Sequence, residues 1–156
     1  MRCLIQRVRQ AQVDIDGKCV GKIGAGFMTL LGAAPDDDRD TADFIAKKVA
    51  ALRVFSDENG KMNLSLTDVG GEALIVSQFT LYADCRKGNR PSYTGACEPK
   101  RASELYDRFC EAVAAYGIKV EKGVFGEDMQ VSLINDGPVT VMLDSDVIYR
   151  RTQCSK

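Results

Sequence analysis

The run Phe27-Met28-Thr29-Leu30-Leu31-Gly32 contains no charged residue and no polar alternation. It has no wet face to turn toward solvent, so it reads as a buried strand around which the rest of the chain must be layered. Other strands lie at Cys3 to Val8, Gln12 to Ile15 and, after an Asp16-Gly17 hairpin signal, Lys18 to Ile23. Ala34 to Asp38 is a loop. From Asp40 to about Arg53 the apolar residues Ala42, Ile45, Ala46, Val49 and Leu52 fall at helical spacing, with Asp40 or Thr41 as cap. A turn at Asp57-Glu58-Asn59-Gly60 precedes a short strand, Ala73 to Val76. Residues 83–98 are polar and punctuated by Gly88, Pro91 and Gly95, the pattern of an ordered functional loop. Pro99 opens a second helix with Leu105, Phe109, Val113 and Tyr116 on one face and Gly117 as its stop. Strands at Ile118 to Glu121, Met129 to Ile134 and Val139 to Leu143 complete the chain, the last two joined through Asn135-Asp136-Gly137-Pro138. Strands and helices that do not strictly alternate predict a single α+β domain, a curved, partly closed barrel-like sheet flanked by two helices.

At 156 residues, 45% of them hydrophobic, the chain can build one core without metal or disulfide staples. Its formal charge of −1 argues against a general nucleic-acid coat protein but leaves room for a local basic patch. No run reaches the ~18 apolar residues of a membrane span. Met1-Arg2-Cys3-Leu4-Ile5-Gln6-Arg7 turns charged too early for a secretory signal, so a cytoplasmic address is expected. Without secretion or a Cys-x-x-Cys pair, Cys3, Cys19, Cys85, Cys97, Cys110 and Cys154 read as free, mostly structural thiols. Asp36-Asp37-Asp38 suits either a cation or the positive end of the following helix.

The chain has no histidine. Ser-His-Asp and Cys-His mechanisms are therefore excluded, and hydrolysis would need a carboxylate, a lysine, a metal or a group on the substrate. Three segments could carry chemistry. Ser77-Gln78-Phe79-Thr80, at the end of a buried strand, either aims donors at a carbonyl oxygen or closes on its own backbone. Asn135-Asp136-Gly137-Pro138-Val139-Thr140 is either a plain hairpin turn or a device that leaves the Gly137 and Pro138 carbonyls pointing outward. Arg86, Lys87, Arg90, Lys100 and Arg101 set against Glu98 make a basic stretch. With Gly88 and Tyr93 it suits phosphate and single-stranded RNA, or is a solvated loop.

Met1-Arg2-Cys3-Leu4-Ile5-Gln6-Arg7-Val8, Ser77-Gln78-Phe79-Thr80-Leu81, Lys87-Gly88-Asn89-Arg90-Pro91-Ser92 and Asn135 to Thr140 occur together and in this order. In that conjunction the chain resembles the D-aminoacyl-tRNA deacylase family over residues 1–145. The tail, 146–156, matches nothing in that family, and disorder there is an open reading. The resemblance implies a homodimer with its sites at the subunit interface, a cis Gly137–Pro138 bond, and entry of that turn into the partner's pocket. It implies that Ser77, Gln78, Phe79 and Thr80 cradle the aminoacyl carbonyl and terminal adenosine. Arg86, Lys87, Asn89, Arg90 and Ser92 are expected to contact tRNA, and no cofactor or metal is implied. The expected reaction is hydrolysis of mischarged D-aminoacyl-tRNA, and of glycyl esters on a non-cognate tRNA, assisted by the tRNA 2′-hydroxyl. A backbone wall at Gly137–Pro138 would reject L-residues by obstructing their side chains. An editing module for wrong L-residues and a non-catalytic RNA- or ribosome-binding protein are the alternatives.

Overall fold

A computed structural model describes residues 1–149; Cys154 and most of the expected tail lie outside the described residues. The strands are β1 (Arg2–Ile15), β2 (Lys18–Ile23), β3 (Gly26–Gly32), β4 (Phe55–Ser56), β5 (Met62–Leu64), β6 (Glu72–Ser77), β7 (Lys119–Lys122) and β8 (Gln130–Asp144). Helices α1 (Arg39–Ala50), α2 (Pro99–Ala114) and α3 (Ser145–Ile148) join them. The order is β2-β1-β3-β6-β7, with β8 along the other edge of β1; the β3–β6 and β6–β7 pairs are parallel, and the three pairs of β1 are antiparallel.

The expected buried strand is β3, covered on both faces. Phe27 and Leu31 pack with Cys3, Ile5 and Ile75 against Ile45 and Val49 of α1 and Phe109 and Val113 of α2. Met28 faces the other way and meets Val8, Ala11, Val13, Ile23, Leu74 and Val76 inside the curl of the sheet. Curling brings β2 close to the end of β7: a Cβ on Gly21 would stand 2.8 Å from the Lys122 carbonyl oxygen. The result is an α+β fold with a nearly closed, barrel-like sheet.

Two expected pairs of strands are each one strand. β1 runs through Arg9 and Gln10, and its buried positions shift from Cys3 and Ile5 to Val8, Ala11 and Val13 across register irregularities. β8 pairs with β1 on both sides of the Gly137–Pro138 step, Val8 opposite Asn135 and Gln6 opposite Thr140. The chain therefore does not reverse there. The extra residues bulge outward opposite Arg7, where an interrupted ladder tolerates a proline without an N–H.

Smaller differences have local causes. Asp38, not Asp40 or Thr41, caps α1, because its carboxylate reaches the Thr41 amide at 2.8 Å and hydroxyl at 2.7 Å. Asp37 is fully buried against the Met1 ammonium at 2.6 Å, which also donates to the Ser145 hydroxyl. Neighbouring aspartates thus serve a helix cap and an ion pair. Helix α1 stops at Ala50, and Arg53 turns to donate to the Asn63 carbonyl at 2.7 Å, beside the small β4–β5 hairpin that periodicity does not reveal. Tyr116 lies beyond the end of α2 and is exposed, whereas Tyr106 and Cys110 share the buried face with Leu105, Phe109 and Val113. Among the described residues no helix is long and apolar enough to cross a membrane.

Candidate active site

Where β3 and β6 run parallel, their carboxyl ends open a crevice, the usual location of sites in such sheets. A cleft of about 290 Å³ lies there, between Gly32 and Ala33 at the end of β3 and Ser77, Gln78 and Phe79 at the end of β6. Gly32 is required by the close approach: a Cβ would stand 2.9 Å from the Gln78 carbonyl oxygen. The Gln78 amide then donates to the Leu31 carbonyl at 2.8 Å, closing the ladder before the chain winds into a 3₁₀ turn, Phe79–Tyr82. Leu81 N–H bonds back to the Gln78 carbonyl at 3.3 Å. The amides of Phe79 and Thr80 precede it and have no acceptor within such a turn. Thr80 does not line the cleft directly. Its hydroxyl oxygen accepts from Gln78 Nε2 at 2.5 Å, which leaves the hydroxyl proton to donate elsewhere.

The remaining wall of the cleft was not legible in the sequence. It consists of Tyr106 from α2 and the β7–β8 connection with Phe125, Glu127, Asp128 and Met129. Buried Tyr106 donates to the Ile75 carbonyl at 2.7 Å, and the Gly123 amide donates to the same oxygen at 2.9 Å, so β6 and the connection share one anchor. Burial raises the pKa of the Tyr106 phenol and keeps it a neutral donor. Cys97 also lines the cleft, but burial raises its thiol pKa, which disfavours the nucleophilic thiolate. Two glycines around an aromatic in Gly123-Val124-Phe125-Gly126 were the available signal for this wall.

The Gly137–Pro138 segment lies elsewhere. Its peptide bond is cis, both residues are exposed, and neither lines the cleft of its own chain. Arg7, with 12% of its side chain exposed, donates through Nε to the Asp136 carbonyl at 3.0 Å and through Nη1 to the Val54 carbonyl at 2.5 Å. Asn135 Oδ1 accepts from the Val139 amide at 2.8 Å. The bulge is therefore held from both ends.

A sequence model of the family described as D-Tyr-tRNA(Tyr) deacylase matches residues 4–144. The chain belongs to this family. It is 56% identical over 149 residues to the D-aminoacyl-tRNA deacylase of Thermosipho africanus (strain TCF52B), covering 96% of this chain and 100% of that protein. The D-aminoacyl-tRNA deacylase of Thermomicrobium roseum is 58% identical over 145 residues, 93% of this chain and 94% of the other. Among solved structures, one described as c-Myc DNA Unwinding Element Binding Protein superposes with a TM-score of 0.87 at 38% identity, covering 93% of this chain and 99% of that one. A probable eukaryotic D-amino acid tRNA deacylase superposes at 0.79 with 21% identity, over 92% and 98% of the two chains, and shares the fold.

The stretch this deacylase-family chain devotes to cations is less positive than a count from Arg86 onward implies. Asp84, just ahead of it, takes Arg86 Nη2 at 2.6 Å and Nε at 2.9 Å. The Arg86 side-chain hydrogen bonds are the main cause holding the Asp84 carboxyl down at about 2. Arg101 turns inward and donates to the Asp37 carbonyl at 2.6 Å. Lys87, Asn89, Arg90 and Ser92 are exposed, and Lys87 and Arg90 form no ion pair among the described residues. Paired backbone bonds between Asp84 and Ser92, at 2.8 and 2.9 Å, close the neck of the loop.

Proposed function

We propose that the chain hydrolyses the ester bond of mischarged D-aminoacyl-tRNA in the cytoplasm, releasing free amino acid and tRNA. The carrying observation is the cleft at the ends of β3 and β6, where Ser77, Gln78 and Phe79 converge beside amides without intrahelical acceptors, in a chain of the D-Tyr-tRNA(Tyr) deacylase family. The aminoacyl carbonyl and terminal adenosine occupy this cleft. As water attacks the carbonyl carbon, the developing oxyanion accepts from the Phe79 and Thr80 amides and the Thr80 hydroxyl, which Gln78 orients. One such donor contributes about 3 kcal/mol of transition-state stabilisation. As the resemblance to the family implies, the terminal 2′-hydroxyl of the tRNA activates the water, an account that the chain's lack of histidine fits. Lys87, Asn89, Arg90 and Ser92 meet the RNA backbone, joined by Arg86 where phosphate displaces Asp84.

The working unit in this reading is a homodimer in which the Gly137–Pro138 bulge of one subunit enters the cleft of the other. The reading is supported by the bulge's exposure and bracing, and by Ile134 and Met142, both about half exposed on the same strand. There the bulge backbone blocks the direction an L side chain would take, so selection is by chirality and not by side-chain identity. A glycyl ester, with no side chain to obstruct, is also hydrolysed.

Matched D- and L-tyrosyl-tRNA decide the matter. Multiple turnover with faster loss of the D-ester is expected; faster loss of the L-ester would assign the chain to L-residue editing, and binding without turnover would leave a nucleic-acid-binding protein. A tRNA ending in 2′-deoxyadenosine should be nearly inert, and normal turnover on it would return the chemistry to a protein side chain.

A further inference from the structure

Phe79 and Tyr93 remain exposed by 58% and 40% although their rings are in contact. Their centroids are 5.1 Å apart and their planes meet at 72°, so together they form an open corner. Phe79 belongs to the cleft wall, whereas Tyr93 stands outside the cleft, one residue beyond the neck of the basic loop. The backbone at Tyr93 is also well fixed. The Asp84–Ser92 bridge precedes it, its own carbonyl accepts from the Ala96 amide at 3.0 Å, and the Cys97 amide ties the returning chain to the Ala33 carbonyl at 2.9 Å. A rigid exposed ring beside unpaired cations is how proteins hold single-stranded nucleic acid: the ring takes a base face and the cations take the backbone.

Resting on the deacylase reading, we infer that Tyr93 is a stacking platform for the nucleobase that precedes the terminal adenosine. The adenosine enters the cleft along Phe79. The strand leaves the cleft toward the loop, where the next base lies on the Tyr93 ring and its phosphate comes within reach of Lys87 and Arg90. Stacking needs the ring and not the hydroxyl, and tolerates any base because every base has a π face. Tyr93 is thus a binding residue that measures whether the ester is attached to a polynucleotide.

The test compares a D-aminoacyl-tRNA with the same D-aminoacyl ester of adenosine alone. Tyr93→Ala should raise KM for the tRNA about tenfold with kcat unchanged, the size of one lost base stack. It should leave hydrolysis of the adenosine ester unaltered, and Tyr93→Phe should match the unsubstituted protein on both. Equal losses on the two substrates, or no loss on the tRNA, would overturn the inference. Should the unsubstituted protein hydrolyse neither ester, the deacylase reading fails separately. The platform is then read from affinity for an uncharged hairpin RNA with a single-stranded 3′ overhang, about tenfold weaker for Tyr93→Ala if the inference holds and equal if it does not.

Discussion

Ser77–Thr80 and Gly137–Pro138 sit on the same sheet but are finished in opposite ways. The first segment is backed by its own chain: β3 supplies a backbone acceptor, α2 a buried tyrosine, and the β7–β8 connection an opposing wall. The second is braced with equal care by Arg7 and Asn135, yet it points into solvent. Under the proposed function, the braced and exposed bulge is the part offered to another subunit, and the cleft is the receptacle. In the homodimer proposed above, that difference would divide one site between two subunits, with donors in one and the stereochemical filter in the other.

The strongest way to break that division is to mix two damaged proteins. Gly137 has φ +135°, and a Cβ on it would stand 2.7 Å from Val139 Cγ2 and 3.1 Å from Arg7 Nη2. Gly137→Ala should push the bulge backbone out of place so that it obstructs the partner's cleft, lowering kcat/KM for the D-ester by about 10²-fold. Thr80→Val, which removes a donor, should cost a similar factor, about 10². Randomly paired subunits of the two variants should recover on the order of a quarter of full activity, since half of the dimers then hold one intact composite site. No recovery would show that cleft and bulge serve within a single subunit.

Arg7→Ala sharpens the comparison with a smaller effect. It removes two hydrogen bonds from a mostly buried guanidinium. A stability loss of about 2 kcal/mol is expected, measured by urea unfolding, with a lower D-to-L rate ratio and a smaller change in the D rate itself. An unchanged ratio would mean that the bulge position is not what selects. The smallest effect belongs to the exposed loop. Asp84 has its carboxyl pKa depressed from 3.8 to about 2, so its pairing with Arg86 is fully present above the ordinary value and is lost only as pH falls through about 2. RNA affinity should therefore show no step from this pair between neutrality and pH 4, and Asp84→Asn should modestly strengthen binding at low salt by releasing Arg86. A titration step near pH 4 to 5 that Asp84→Asn abolishes would contradict the assignment.

Local pattern reaches only part of this molecule. The apolar run at β3, the Pro99 opening of α2, and the Leu105, Phe109, Val113 stripe are written at short range, because strand and helix periods act over neighbouring residues. The Ser77–Phe79 part of the cleft was legible because a buried strand ending in small polar residues must finish its hydrogen bonds nearby. Phe125, Met129 and Tyr106 were not, since each looks like ordinary loop or core until β7 and α2 are docked beside β6. The basic stretch was half legible: its cations are present, but Arg86 and Arg101 find acceptors that a charge count does not pair with them.

By itself the sequence determined the layered α+β class, the absence of any histidine-based mechanism and the family of the chain. What only tertiary structure decided is the nature of the Gly137–Pro138 step. Read locally, it is a hairpin turn between two strands. In the fold it is a bulge within one strand, because residues on both sides pair with the same partner, Val8 and Gln6 of β1. Register between segments more than a hundred residues apart is set by long-range hydrogen bonding and burial, and no local periodicity encodes it.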